Sequence, residues 1–140
     1  MEHMPSIKSV MTPFPYSVDA SEEISRAKEM MAKHGIRHLP VVKDGALAGV
    51  VSADDIQHRI DVAGSDTPLV GDVHLADVHI VALSAPVDRV LREMVSRHLE
   101  AALVVKGDKL AGIFTITDAL RSFAEFLCSI FPTRNPEDAA

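Results

Sequence analysis

The sequence predicts an α/β fold in which two pseudo-symmetric β-α-β-β-α repeats pack as one module. Three observations carry that reading. The chain aligns with itself without a gap, residues 7–60 falling on residues 70–123. Within each copy the hydrophobic pattern passes from strand-like to helical and back in the same order. Each copy then closes on nearly the same phrase, "LAGVVSADD" at 47–55 and "LAGIFTITD" at 110–118.

The self-alignment is more than compositional. Val10, Val18, Ser21, Arg26, Met31, Val41, Val42, Lys43, Leu47, Ala48, Gly49 and Asp55 all meet an identical residue in the second copy. Composition alone would supply about 3 such matches. Two copies are too few for a solenoid, so a closed pair is expected.

Taken in order, each copy opens with a short extended stretch, "YSV" at 16–18 or "HIVAL" at 79–83. A serine follows, expected to help start a helix. Ser21 precedes Glu22 and Glu23, which suit a positive helix N-terminus, and Ser84 precedes Ala85 and Pro86. Ile24, Ala27 and Met31, and then Val87, Val90, Leu91, Met94 and Val95, recur at helical spacing with one buried face. Two apolar runs come next, "LPVV" and "LAGVV" around Asp44-Gly45, then "ALVV" and "LAGIF" around Gly107-Asp108. Gly with Asp between β-branched runs signals a hairpin. Pro40 lies at the start of its run, where a missing N–H is tolerable. A second helix then begins at the hydroxyl–aspartate segment, short in "DDIQHRID" and long and apolar in "TDALRSFAEFLCSIF". The expected organisation is a first repeat at 7–60, a polar linker at 61–69, a second repeat at 70–127, and a helix end and fraying tail at 128–140.

The 140 residues are 47% hydrophobic and carry a net charge of −6, an ordinary globular balance. That charge excludes a phosphate-backbone reader with a concentrated basic face, and 4% aromatic content excludes base-stacking platforms. With Cys128 as the single cysteine no internal disulfide forms, which fits a reducing compartment. No apolar run reaches the ~18 residues of a membrane span, and "MEHMPSIKSV" lacks signal-peptide layout. These features predict a soluble cytoplasmic protein with no nucleic-acid or membrane partner.

The repeated Ser/Thr-x-x-Asp carries the chemistry. At a helix start the hydroxyl of Ser52 or Thr115 caps free N–H groups or donates to a phosphate oxygen. One turn on, Asp55 or Asp118 projects from the same side, and an ionised carboxylate can accept both hydroxyl protons of a ribose. Plain capping is the competing reading, and for the hydroxyls the two are compatible.

The element order, with Gly-apolar-apolar-[Ser/Thr]-x-x-Asp at the last strand–helix junction, resembles the CBS domain, and the tandem resembles a CBS pair or Bateman module. "SVMTP" at 9–13 and "HGIRHLPVV" at 34–42 also match the family pattern. The second copy departs from it, with "DVHLAD" and "HLEAALVV" in their places. The resemblance implies two clefts between the repeats that hold adenosine nucleotides. Carried over, one cleft combines Thr12, Pro15, Ile36, Arg37 and His38 with Thr115 and Asp118. The other combines Val78, Leu99 and Glu100 with Ser52 and Asp55. The aspartates would hold ribose, apolar and backbone groups adenine, and hydroxyls with nearby cations the phosphates. Arg37 against Glu100 makes the clefts unequal and favours the Thr115/Asp118 cleft for an anionic ligand. The resemblance also implies a homodimer forming a four-repeat disc.

Other features carry less. His34 and His38 are spaced i, i+4, but Gly35 is expected to end the helix between them, and His74 and His79 lack flanking ligands. Scattered surface histidines are therefore expected, with no metal. Met30 and Met31 are expected in core and flank. Cys128, in "FAEFLCSIF", is expected to be buried and inert. No catalytic constellation stands out. Leu120, Phe123, Phe126, Leu127, Ile130 and Phe131 exceed what one core-facing stripe needs; subunit contact and internal packing both account for them.

The function expected is a non-enzymatic regulatory module for AMP, ADP or ATP, requiring no cofactor. No effector domain accompanies the repeats in these residues, so output is expected through a separate effector protein. The alternatives are a ligand-free structural or protein-interaction module, a module for S-adenosylmethionine or NADH, and a small enzyme using a cleft carboxylate.

Overall fold

The computed structural model describes residues 3–73, 75 and 78–131. In chain order a 3-10 turn at Ile7–Ser9 is followed by β1 (Thr12–Pro13), β2 (Val18–Asp19), α1 (Ile24–His34), β3 (His38–Lys43), β4 (Ala46–Ser52) and α2 (Ala53–Ala63). A second 3-10 turn, Val70–Asp72, leads to β5 (His79–Ala82), α3 (Val87–Arg97), β6 (Ala101–Lys106), β7 (Lys109–Thr115) and α4 (Ile116–Ile130). The fold is the mixed α/β tandem that the repeat predicts. His74, expected in a loop, and the tail 132–140 lie outside the described residues.

The strands form two sheets, ordered β2-β3-β4 and β1-β7-β6-β5. In each, a strand–helix–strand unit gives a parallel pair, and a two-residue turn gives the antiparallel hairpin. The order of Asp and Gly selects the turn. Asp44 and Gly45 both have positive φ (52° and 79°), as a type I′ turn requires. In the second hairpin glycine comes first, and there only Gly107 (66°) is positive, as in type II′.

The sheets are joined by an exchange. Ile7, fully buried, packs in the second repeat's core with Val81, Val90 and Phe114, and β1 pairs with β7. Reciprocally, Val70 and Val73 pack in the first repeat's core with Val18, Leu39 and Val51. The bonds match across the pseudo-symmetry. Ile7 N–H donates to Ala85 C=O at 2.7 Å, and Val70 N–H donates to Glu22 C=O at 2.8 Å. A third cluster of Val50, Ala101, Leu103 and Ile113 draws on both repeats.

This exchange explains the glycine in each "LAG". A Cβ on Gly49 would stand 2.9 Å from Cδ1 of Leu75, and one on Gly112 would overlap the Met11 sulfur. The segment leading each repeat crosses the other's last strand there, and only a missing side chain leaves room.

It also corrects the expected helix caps. α1 and α3 begin at Ile24 and Val87, with Glu23 and Pro86 at the N-cap and no side-chain capping bond. Their first N–H groups donate instead to Pro68 and Pro5 carbonyls, at 3.1 and 3.0 Å, from the exchanged segments. A backbone acceptor from outside replaces the serine hydroxyl. Ser21 turns to Asp19, donating from N–H and Oγ at 2.9 and 2.7 Å to Oδ1. Those two bonds, the backbone one foremost, hold the Asp19 carboxyl below its ordinary pKa.

Gly35 ends α1 in the left-handed conformation (φ 63°), and His98 does the same for α3 (φ 54°). α4 outlasts α2 by a turn, 15 residues against 11. Ala119 packs against the second repeat's core, but the large apolar residues beyond it do not: Leu120, Phe123, Phe126 and Ile130 are all more than half exposed. Cys128 is exposed too, correcting the expectation of a buried thiol, because it lies near the end of α4, where no sheet among the described residues covers it. Among the described residues no helix is long and apolar enough to cross a membrane.

Candidate functional site

The two strand–helix junctions are built alike. Ser52 Oγ accepts the Asp55 N–H at 3.1 Å and donates to Asp55 Oδ2 at 3.0 Å. Thr115 Oγ1 accepts the Asp118 N–H at 3.4 Å, while Thr115 N–H and Oγ1 donate to Asp118 Oδ2 at 2.9 and 3.2 Å. The first N–H groups of α2 and α4 donate to the Arg37 and Glu100 carbonyls, at 2.8 and 3.2 Å. Both hydroxyls therefore cap their helices. Both aspartates also stand where the repeats meet.

The exchange makes the junctions differ. β1 crosses β7 and brings Thr12 Oγ1 to Asp118 Oδ1 at 2.9 Å. Arg121, one turn along α4, donates to the same oxygen at 3.0 Å. Asp118 is 2% exposed and its four acceptor positions are filled. At the other junction Leu75, which has no hydroxyl, stands at the position matching Thr12, and Asp55 is half-buried.

Around Asp118 lies a cleft of 820 Å³. It gathers Thr12, Pro15, Ile36, Arg37, His38, Thr115 and Asp118, the whole set that the sequence placed together, from three separate stretches of chain. A second cleft of 340 Å³ gathers Ser52, Asp55, Leu99 and Glu100. Val78 does not line it; its side chain packs against the cluster of Val50, Ala101, Leu103 and Ile113. A β-branched residue leading into β5 is drawn into the apolar seam.

Charges pair across the clefts. Arg37 donates to Asp54 Oδ1 at 2.9 Å, and His38 Nε2 lies 2.8 Å from Glu100 Oε2. Glu100 was expected only in the smaller cleft. It lines both, because His38 holds it on the wall between them. The sequence reading missed Arg121, although its three-residue spacing from Asp118 was available. It also missed the aromatic lip. Tyr16 stacks on His34 with ring centroids 3.7 Å apart, and Phe14 is 91% exposed at φ 48°. Among the described residues no group of three or more metal-ligating side chains comes together.

Two exchanged repeats meeting at a hydroxyl–carboxylate junction define the class of a tandem-repeat α/β module. The family model for the CBS domain matches twice, at residues 7–61 and 70–125, so the chain belongs to the CBS domain family, as a CBS pair. A putative acetoin utilization protein (AcuB) from Vibrio cholerae is similar in structure, with TM-score 0.82 and 26% identity over 90% of this chain and 96% of that one. The CBS domain pair of protein MJ0100, in complex with 5'-methylthioadenosine and S-adenosyl-L-methionine, has TM-score 0.74 and 25% identity, covering 85% of this chain and 99% of the other. Homoserine O-acetyltransferase of Methanocorpusculum labreanum is 31% identical over 87% of this chain. The chain spans a third or less of the length of such curated relatives.

Proposed function

We propose that this chain is a non-enzymatic regulatory module that binds an adenosine nucleotide of the AMP, ADP or ATP type in the larger cleft. The observation that carries this is Asp118, a buried carboxylate at the seam of two repeats, met by Thr12 from the opposite side. The adenosine ligands of the MJ0100 pair support it. Ribose hydroxyls would donate to Asp118, and because its acceptor positions are full, one partner must leave. Arg121, with its side chain 57% exposed, is the partner free to swing. It would then turn to the phosphate, joined by Arg37.

Regulation follows from differential affinity. Thr12 belongs to the first repeat and Asp118 to the second, so a ligand between them favours one arrangement of the repeats over others. Output would pass to a separate effector protein, in the cytoplasm. α4 presents roughly 600 Å² of apolar surface from Leu120, Phe123, Phe126, Leu127, Ile130 and Phe131, against the ~800 Å² that one side of a standard interface buries. We assign that face to a second copy of the chain.

Thermal melts with AMP, ADP, ATP, S-adenosylmethionine and NADH test the reading. A nucleotide should raise the melting temperature of the wild type, and Asp118→Ala should abolish the rise measured against its own unliganded melt. If no adenosine compound shifts the melt or gives heat on titration, a ligand-free interaction module, favoured by the α4 face, replaces this reading. Turnover of any of them would mark an enzyme.

A further inference from the structure

The pair His38–Glu100 belongs to both clefts at once. His38 leads β3 of the first repeat and Glu100 precedes β6 of the second, and both side chains line the 820 Å³ and the 340 Å³ spaces. The imidazole is only 16% exposed, fixed in the wall, whereas the carboxylate is 66% exposed. His38 Nε2 donates to Glu100 Oε2, so the imidazole determines where that negative charge rests.

The other charges are arranged so that a change on one side is felt on the other. Arg37, in the larger cleft, is held by Asp54, which lines the smaller one beside Asp55. A phosphate entering the larger cleft competes with Glu100 for His38 and with Asp54 for Arg37. Like charge then drives Glu100 away from the larger cleft, towards the smaller cleft that it also lines. That cleft would hold the three carboxylates of Asp54, Asp55 and Glu100 against the Arg97 guanidinium and the His98 imidazole, an acidic balance, with Asp54 stripped of its cation.

We propose that the His38–Glu100 pair couples the two clefts negatively, so that one anionic adenosine ligand in the larger cleft excludes a second from the smaller. Glu100 is the specificity-determining residue, leaving the smaller cleft to a neutral or cationic ligand. This rests on the adenosine-ligand reading above and adds to it the number and charge of ligands per chain.

The test is calorimetric titration of the full chain with AMP. Wild type should bind one AMP per chain. Glu100→Gln and Glu100→Ala should each bind two, the second at least about tenfold tighter than in wild type, a coupling of ordinary size for linked sites. Adding Asp55→Ala to Glu100→Gln should return the count to one, assigning the second AMP to the smaller cleft. Circular dichroism melts establish that the variants fold, and the two substitutions at an exposed side chain check each other. Two equivalent AMP molecules on wild type, or an unchanged count and affinity in both Glu100 variants, overturns the coupling and leaves the binding reading standing. No heat with AMP, ADP or ATP on any of these proteins overturns both.

Discussion

Gly112→Ala tests the link between the repeated phrase and the exchanged fold. The added Cβ falls on the Met11 sulfur, with Met11 Cγ and Cε each 3.0 Å away. Met11 is flexible and yields, but β1 follows at once, pinned by Thr12 against Ile113 and Pro13 against Gly112. Overpacking of this kind costs about 1–3 kcal/mol. For a chain of this size each kcal/mol lowers the melting temperature by about 4 °C, so a fall of about 4–12 °C is expected by calorimetry. Displacing β1 also loosens the Thr12–Asp118 bond, so nucleotide affinity should fall with stability. In a Met11→Ala background the space is already open, and the penalty of Gly112→Ala should shrink below about 0.5 kcal/mol, the limit of additivity for independent sites. A Gly112→Ala protein that melts within 1 °C of wild type (well under the ~4 °C expected), or an equal penalty in both backgrounds, would refute the close-approach argument.

Asp118→Ala removes a capping box and strands Thr12 and the Thr115 N–H, so a loss of about 2–4 kcal/mol in the unliganded protein is expected from chemical denaturation. His98→Gly should stabilise by about 1 kcal/mol, because glycine occupies the left-handed cap that Gly35 fills in the first repeat; a lower melting temperature would count against it. The Asp19 carboxyl, held below its ordinary value, contributes stability that is present above the unfolded pKa and lost as pH falls through the folded one. Ser21→Ala should move that carboxyl's NMR titration upward and flatten the acid limb of stability. Phe123→Glu, on the exposed face of α4, should shift sedimentation from dimer to monomer while leaving the melt cooperative.

Much of the fold was legible because it is written twice. Helical spacing from Ile24 and Val87, and the Asp-Gly and Gly-Asp turns, are local signals, and helices and hairpins are local structures. The hydroxyl–aspartate junctions were legible for the same reason, since a cap and the residue one turn later are neighbours in the chain. The capping expected of Ser21 failed because the acceptor for the first helical N–H came from Pro68, distant in sequence. Cys128 was misplaced because an apolar run looks the same whether it faces a core or a bare surface.

Two equivalent repeats, each closing on a capped helix with a carboxylate one turn in, are encoded locally. Which carboxylate is buried, which cleft is large and what stands between them emerge only when the repeats pack. Those outcomes depend on the exchange of leading segments, which places Thr12 on Asp118 and Leu75 over Gly49. They depend also on Glu100 reaching across to His38. Each contact joins residues whose separation along the chain carries no periodic signal, so local chemistry could propose the partners, and packing alone could pair them.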